Sequence, residues 1–366
     1  MRIAFLGTRG IPAAYGGFES CVHELSTRLS KRGHYVEVYC RSDWPESAPT
    51  EFEGVHLAHL PRLKKGFLES PFNSLVSTAR AACGRSDIVH YFGCGSVPFL
   101  PISRIAGKKV VLTVDGIEWE RTSYSAPARM YLRSFAELAM VYPNVTVADS
   151  RSSVDWYSRR TGITPEYIPY GTKPSKSVDK SILDKYQVNQ GKYVFFAGRL
   201  VHEKGVHTLV EAFKAVKGDT NLVIVGGYPG KSEYVDRLHR DSDPRIKFLG
   251  YVYGSEYETL RNASLIHVHP SLLEGTSISL LEALGAGKCI VSSDLKENVD
   301  VGGDSMVYFK TGDPADLAAR LNGLLENPKA MAENAAKASR RAAELFDWEE
   351  ITDRYERIYQ GLLRRN

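Results

Sequence analysis

The chain has 366 residues, enough for two domains at about 150 residues each. Its 43% hydrophobic and 25% charged residues are the balance of an ordinary globular protein, which excludes disorder or a collagen-like repeat as the main state. Lys+Arg 47 against Asp+Glu 43 leaves +4, too little for a dedicated nucleic-acid binder, so no nucleic-acid partner is expected.

The opening segment, MRIAFLGTRG, has an apolar run too short for a signal peptide, and Gly7 interrupts it. No stretch reaches the roughly 18 apolar residues of a membrane span. The 5 cysteines (Cys21, Cys40, Cys83, Cys94 and Cys289) form no Cys-x-x-Cys pair. Reduced thiols in a cytoplasmic protein are the expectation, with peripheral contact at the cytoplasmic face of the membrane left open.

Along the chain, apolar β-type runs alternate with amphipathic helical segments. The runs are IAFLG (3–7), YVEVYC (35–40), DIVHYF (87–92), KVVLTV (109–114) and NVTVAD (144–149), then YVFFAG (193–198), NLVIVGG (221–227), RIKFLG (245–250), LIHVHP (265–270) and CIVSS (289–293). Most are continuously hydrophobic, as in strands buried on both faces of a parallel sheet. Phe18, Val22, Leu25 and Leu29 fall on one helical stripe, with Gly33 as its expected C-cap. Trp348, Ile351, Tyr355, Ile358, Tyr359 and Leu362 give a terminal helix with a similar stripe. The break lies in YIPYGTKPSKSVDK, rich in proline and polar residues. Two doubly wound α/β domains are therefore expected, 1–172 and 173–345, with a C-terminal helix (346–366) packing back on the first. Ligands of such domains bind at the carboxyl ends of the strands, here in a cleft between the two domains.

Three strand-to-helix loops carry the chemistry. GTRGIPAAYGGFES (7–20) brings Gly16 and Gly17 to a helix N-terminus, where backbone amides can meet an anion. A tight turn that simply needs glycine is the alternative. The loop lacks G-x-G-x-x-G spacing, which argues against a nicotinamide dehydrogenase. FAGRLVHEKGVHTLVEAF (196–213) sets Arg199 and Lys204 after a buried strand, where two cations could neutralise a diphosphate. HPSLLEGTSISLLEALGAGKCIVSSD (269–294) has Glu274 before Gly275, Thr276 and Ser277, and Glu282 eight residues on. Eight helical residues rise roughly 12 Å, about the reach from a hexose across a diphosphate to a ribose. Carboxylates suit both ends, because each accepts from paired hydroxyls. An acid complementing a helix dipole, with an unrelated helical Glu, is the alternative.

These segments resemble the retaining glycosyltransferase family 4. FAGRLVHEKG followed by P-S-x-x-E-G-x-S-x-x-L-L-E-A-L-x-x-G carries the likeness over 193–294. GTRGIPAAYGGFE, DGIEWER (115–121) and ADSRSSVDWY (148–157) look like the subgroup with a rhamnosyltransferase-type N-terminal domain. The resemblance implies a GT-B fold: two Rossmann-like domains facing across a cleft, the first binding the acceptor and the second a nucleotide-sugar donor. It implies that Arg199 and Lys204 bind the diphosphate, Glu274 the donor sugar and Glu282 the ribose. It also implies that backbone at Gly198 and around Gly275, Thr276, Ser277 and Ile278 caps the phosphates. Gly16 and Gly17 would line the donor from the other side, and Tyr251 and Val252 the base. Where many family members have a histidine, this chain has Asp115, expected beside the reacting sugar, with Tyr15, Glu118 and Arg121 as acceptor contacts. Ser123 and Tyr124 stand where the subgroup often has a lysine and a tryptophan, so the acceptor's identity is not read from the motif.

Other signals have plainer explanations. Asp241-Ser242-Asp243 is read as a turn or cap, and no metal or cofactor is expected, because fixed cations and a helix dipole serve the diphosphate. His267 and His269 are read as hydrogen-bonded strand-end histidines. PRLKKGFLESPF (61–72) mixes basic and apolar residues, as a membrane-surface segment or a loop folded on its own domain would. The expected activity is transfer of a sugar, rhamnosyl, hexosyl or N-acetylhexosaminyl, to a glycan or lipid-linked glycan during surface polysaccharide synthesis. The alternatives are a nucleotide-sugar epimerase of the same fold, acting without an acceptor, and a two-domain binding protein without catalysis.

Overall fold

The computed structural model describes residues 1–13, 16–41, 49–61, 69–115, 119, 125–228 and 230–364. The chain divides into two compact units, Met1–Tyr170 with the segment from Trp348, and Gly171–Asp347.

The first unit runs β1 (Arg2–Leu6), α1 (Gly17–Lys31), β2 (Tyr35–Arg41), β3 (Glu51–Phe52), β4 (Val55–Leu60), α2 (Glu69–Cys83), β5 (Ile88–Phe92), α3 (Leu100–Ile105), β6 (Lys109–Val114), α4 (Ala126–Ala136), β7 (Val145–Ala148), α5 (Arg151–Thr161) and β8 (Glu166–Tyr167). Its sheet order is β3-β4-β2-β1-β5-β6-β7-β8, with every pairing parallel except β3 with β4. The central strands β1 and β5 pair from Ile3↔Ile88 to Leu6↔Tyr91. β5, IVHYF, is buried at every position, as its unbroken apolar run requires, and His90 sits inside it.

The second unit runs α6 (Lys180–Lys185), β9 (Tyr193–Ala197), α7 (Val206–Phe213), β10 (Asn221–Val225), α8 (Glu233–Arg240), β11 (Ile246–Phe248), α9 (Gly254–Ala263), β12 (Ile266–His269), α10 (Ile278–Gly285), β13 (Cys289–Ser293), α11 (Lys296–Gly302), β14 (Val307–Phe309), α12 (Pro314–Leu325) and α13 (Pro328–Leu345). Its sheet is wholly parallel in the order β11-β10-β9-β12-β13-β14. The winding reverses between β9 and β12, so the loops after those two strands diverge at the sheet's switch point, the usual ligand position in open α/β sheets. A core built on Val194, Phe196, Leu209, Phe213, Leu222, Ile224, Ile266, Val268 and Val291 holds those strand ends rigid.

Helix α14 (Trp348–Arg364) returns to the first unit. It buries Trp348, Ile351, Thr352, Tyr355, Tyr359 and Leu362. Ile358, expected in that stripe, is half-buried. The Tyr359 hydroxyl lies 2.7 Å from His90 Nδ1, and His90 Nε2 lies 2.8 Å from Thr113 Oγ1. Arg32 adds ion pairs to Glu349, Asp353 and Glu356.

One local reading changes. Glu274 and Glu282 are not separated by eight helical residues: α10 starts at Ile278, and Glu274 lies in the preceding loop. Gly275 and the Thr276–Ser277 turn supply the rest of the separation. Gly33 closes α1 as expected: it follows the last capping residue, Arg32, with φ 84°, and the His34 amide donates back to the Leu29 carbonyl at 3.1 Å. Among the described residues no helix is long and apolar enough to cross a membrane. Most of the basic-apolar segment 61–72 lies outside the described residues.

Candidate functional site

At the switch point of the second unit, two loops distant in sequence are sewn together. The amides of Leu272 and Leu273 both donate to the Glu203 carbonyl, at 2.7 and 3.3 Å. Gly205 ends the short 202–204 turn with φ +62°, and a Cβ there would collide with the Pro270 carbonyl, so the close approach needs glycine. The stitching brings Lys204 and Glu274 together as an ion pair between Lys204 Nζ and Glu274 Oε1. The same oxygen accepts from Ser271 Oγ at 2.7 Å and lies 3.1 Å from His269 Nε2. The Glu274 side chain is only 8% exposed and that of Lys204 19%. Burial pushes the Glu274 carboxyl up, but the Lys204 charge and the His269 contact outweigh it and hold it well below the usual carboxylate range. Glu274 is thus an ionised acceptor, not a proton donor.

Directly after Glu274, the chain turns into α10. Ser277 is its N-cap, yet makes no side-chain capping bond; its Oγ lies 3.2 Å from Ser279 Oγ instead. The Ser277 side chain thus leaves the first-turn amides that begin at Ile278 uncapped, and the positive end of the helix dipole lies a few residues after Glu274. One turn further, Glu282 Oε2 accepts from the Tyr257 hydroxyl at 2.6 Å and lies 3.4 Å from Arg261 Nη1. Tyr257 and Arg261 are four residues apart on α9 and so share its face toward Glu282. Arg199 follows β9 and is exposed. The Gly198 amide donates to the Val225 carbonyl at 3.0 Å. Tyr251 is half-exposed over Gly227, its ring parallel within 10° to that of Tyr253, while Val252 is buried.

The first unit places the other expected residues around its own strand ends. Gly16 caps α1 with φ 107°, and Glu19 takes up the space beside it, where it accepts from the Arg9 amide at 3.2 Å. The need for glycine in this turn is real. Gly17 packs on the Tyr170 ring. Asp115 follows β6 and Asp149 follows β7, each one step on from the pair Val114↔Ala148. Asp149 is 1% exposed, and the buried Tyr170 phenol is pushed well above its usual value, first by burial and then by these two carboxylates. Tyr15, Glu118 and Arg121 lie outside the described residues.

Sequence reasoning missed Ser271, Tyr257, Arg261 and Asp149. Only the four-residue spacing of Tyr257 and Arg261 hinted at a shared face. The strand-end histidines divide: His269 is hydrogen-bonded as expected, whereas His267 makes no hydrogen bond among the described residues. Buried in mid-sheet near Arg261 and Lys288, it is held neutral, its pKa lowered first by burial. In the 241–243 turn, Asp243 is committed to Arg245, accepting from its amide at 2.8 Å and its guanidinium at 2.9 Å. Among the described residues no group of three or more His, Cys, Asp and Glu gathers as a metal site.

Comparison with known proteins gives these units a family. Residues 15–176 match the family model described as Glycosyltransferase Family 4, and residues 179–342 match Glycosyl transferases group 1. The chain is 28% identical to the phosphatidyl-myo-inositol mannosyltransferase of Mycolicibacterium smegmatis over 56% of this chain and 54% of that protein. It is 26% identical to O-antigen chain mannosyltransferase B of Escherichia coli over 54% and 52%. The chain thus spans about half the length of these two relatives. Against glycogen synthase of Mycobacterium tuberculosis the identity is 23%, over 100% of this chain and 95% of that one. Among solved structures, HepE of Anabaena in complex with UDP and glucose superposes with a TM-score of 0.81 at 20% identity, over 99% and 100% of the chains. Sucrose-phosphate synthase of Thermosynechococcus elongatus gives 0.83 at 19%, over 100% of both. With a family 4 match on its first parallel-sheet unit and a group 1 match on its second, the chain is a group 1, family 4-like glycosyltransferase chain of GT-B fold.

Proposed function

We propose that the chain transfers a sugar from a nucleotide-sugar donor to a hydroxyl of a glycan or lipid-linked glycan, with retention of anomeric configuration, in surface polysaccharide assembly. The observation that carries this reading is the ionised, buried Glu274 held against Lys204 just before the start of α10, whose N-cap Ser277 makes no side-chain capping bond. An anion acceptor, a cation and a positive helix end adjoin there, which suits a diphosphate bearing a hydroxylated sugar. The relatives named for mannosyl transfer to phosphatidyl-myo-inositol and to O-antigen chains support the substrate classes, and the UDP and glucose bound to HepE support the donor class.

In this mechanism the second unit holds the donor. Glu274 accepts from the sugar hydroxyls and Glu282 from the ribose. Tyr251 and Val252 flank the base, with Gly198 giving the ligand close backbone approach, while Gly16 and Gly17 are assigned to the donor through their backbone alone. When the anomeric C–O bond breaks, negative charge grows on the departing diphosphate. Lys204, Arg199 and the amides from Gly275 to Ile278 meet that charge, which is the largest catalytic contribution. No metal is required, because fixed groups supply the positive charge. The acceptor hydroxyl attacks from the leaving-group face, its proton passes to a diphosphate oxygen, and the new bond keeps the old configuration. Asp115 is assigned to the reacting sugar, and Tyr15, Glu118 and Arg121 to the acceptor. A lipid-linked acceptor would bring the chain to the inner membrane surface, with the basic-apolar 61–72 segment as the contact.

Transfer assays on Arg199→Ala and Lys204→Ala test the assignment. Turnover is expected to fall by about 100-fold or more in each, the scale of losing a charge-stabilising group. Near-wild-type rates in both variants overturn it.

A further inference from the structure

The two glutamates share a feature that their spacing does not require: each has one carboxylate oxygen engaged by the protein and the other left open. All three contacts to Glu274, from Lys204, Ser271 and His269, fall on Oε1. Both contacts to Glu282, from Tyr257 and Arg261, fall on Oε2. Among the described residues no hydrogen bond reaches Glu274 Oε2 or Glu282 Oε1. The protons are consistent with this division. Ser271 has one hydroxyl proton, and it goes to Glu274; His269 Nε2, 3.3 Å from Ser271 Oγ, must then carry its own proton to avoid two facing acceptors. His269 Nδ1 is buried with no hydrogen-bond partner among the described residues. Tyr257, a phenol that burial keeps protonated, can only donate to Glu282.

We propose that Ser271 with His269, and Tyr257 with Arg261, are positioning residues that fix one oxygen of each glutamate so that the other accepts from the ligand: Glu274 Oε2 from a hydroxyl of the donor sugar, Glu282 Oε1 from the 2′,3′-diol of the ribose. This rests on the donor assignment made above. A glutamate has three rotatable side-chain bonds. Holding one oxygen before the ligand arrives removes ordering cost that binding would otherwise meet. It also narrows the ligand at Glu274, where the open oxygen belongs to an ionised acceptor, so the group facing it must donate a hydrogen bond; at Glu282 burial raises the carboxyl pKa, with Arg261 and the Tyr257 hydrogen bond opposing it.

The near-isosteric variants Tyr257→Phe and Ser271→Ala separate the two devices. The full-length wild-type protein and each variant are titrated with UDP, GDP, 2′-deoxy-UDP, 2′-deoxy-GDP, UDP-glucose and GDP-mannose, and melting temperatures are recorded alongside. Tyr257→Phe is expected to weaken whichever ribonucleotide binds by about tenfold, with or without its sugar, and to weaken the matching 2′-deoxynucleotide much less. Ser271→Ala is expected to weaken the nucleotide-sugar by a similar factor and leave the bare nucleoside diphosphate unchanged. His269→Gln probes the same oxygen should Ser271→Ala fail to fold, and is expected to show the Ser271→Ala pattern. A structural defect would weaken all ligands together. Uniform losses across the panel, or no loss in either variant, overturn the positioning roles while leaving the donor assignment standing. If the folded wild type binds none of these nucleotides, the donor assignment falls and the positioning roles fall with it.

Discussion

Lys204 and Glu274 lie 70 positions apart in sequence and form a mostly buried ion pair. Such a pair is costly to break from one side, because the remaining charge stays desolvated. Lys204→Ala is therefore expected to destabilise the protein by on the order of 2 kcal/mol, reduced from the fully buried case by the residual exposure of Lys204. Adding Glu274→Gln to Lys204→Ala removes the stranded charge and should recover most of the stability without recovering transfer. Urea denaturation checks this; a double variant no more stable than Lys204→Ala contradicts it. The sign with pH follows from the depressed folded-state pKa of Glu274. Its contribution is complete above the unfolded carboxylate value of about 4.3 and declines as pH falls below it toward the folded value. In Glu274→Gln that part of the acid decline should be missing. Glu274, Lys204 and Arg199 stand out in the sequence because they sit in a distinctive motif, and the structure brings the first two together. The sequence concealed Ser271 and Tyr257, whose roles exist only once α9, α10 and the loop after β12 are side by side.

Helix α14 is the element whose packing was most legible, since its aromatic stripe recurs at helical spacing and is unlike a solvated face. Its polar anchoring was not legible. Nothing in IVHYF shows that His90 sits buried between Tyr359 and Thr113. Burial lowers its pKa to about 3, so it packs as a neutral ring that needs both partners. Tyr359→Phe leaves one ring nitrogen unsatisfied and is expected to cost about 1–2 kcal/mol in chemical denaturation. An unchanged midpoint would mean that the hydrogen bond adds nothing. The strands show the same division. β1, β5, β6, β9, β12 and β13 announced themselves within a residue or two, despite the histidines in β5 and β12. β4, VHLAHL, is not among the runs singled out in the sequence, and β3 and β14 are two and three residues long, too short for any periodicity to show.

At the level of the molecule, strand–helix alternation and the proline-rich break carried the two-unit architecture. What they could not carry was strand order. The reversal between β9 and β12 decides which loops meet, and it puts the 203–205 and 270–274 segments together, far apart as they are in sequence. The account stands on one arrangement: a diphosphate neutralised by Lys204 and the start of α10, with Glu274 on the sugar. A structure of the chain with its nucleotide-sugar bound tests this most directly. The expected result is a phosphate oxygen within hydrogen-bond distance of Lys204 Nζ and of the first-turn amides of α10, and a sugar hydroxyl on Glu274 Oε2. A bound donor whose phosphates lie away from α10, with Lys204 contacting only Glu274, would contradict it.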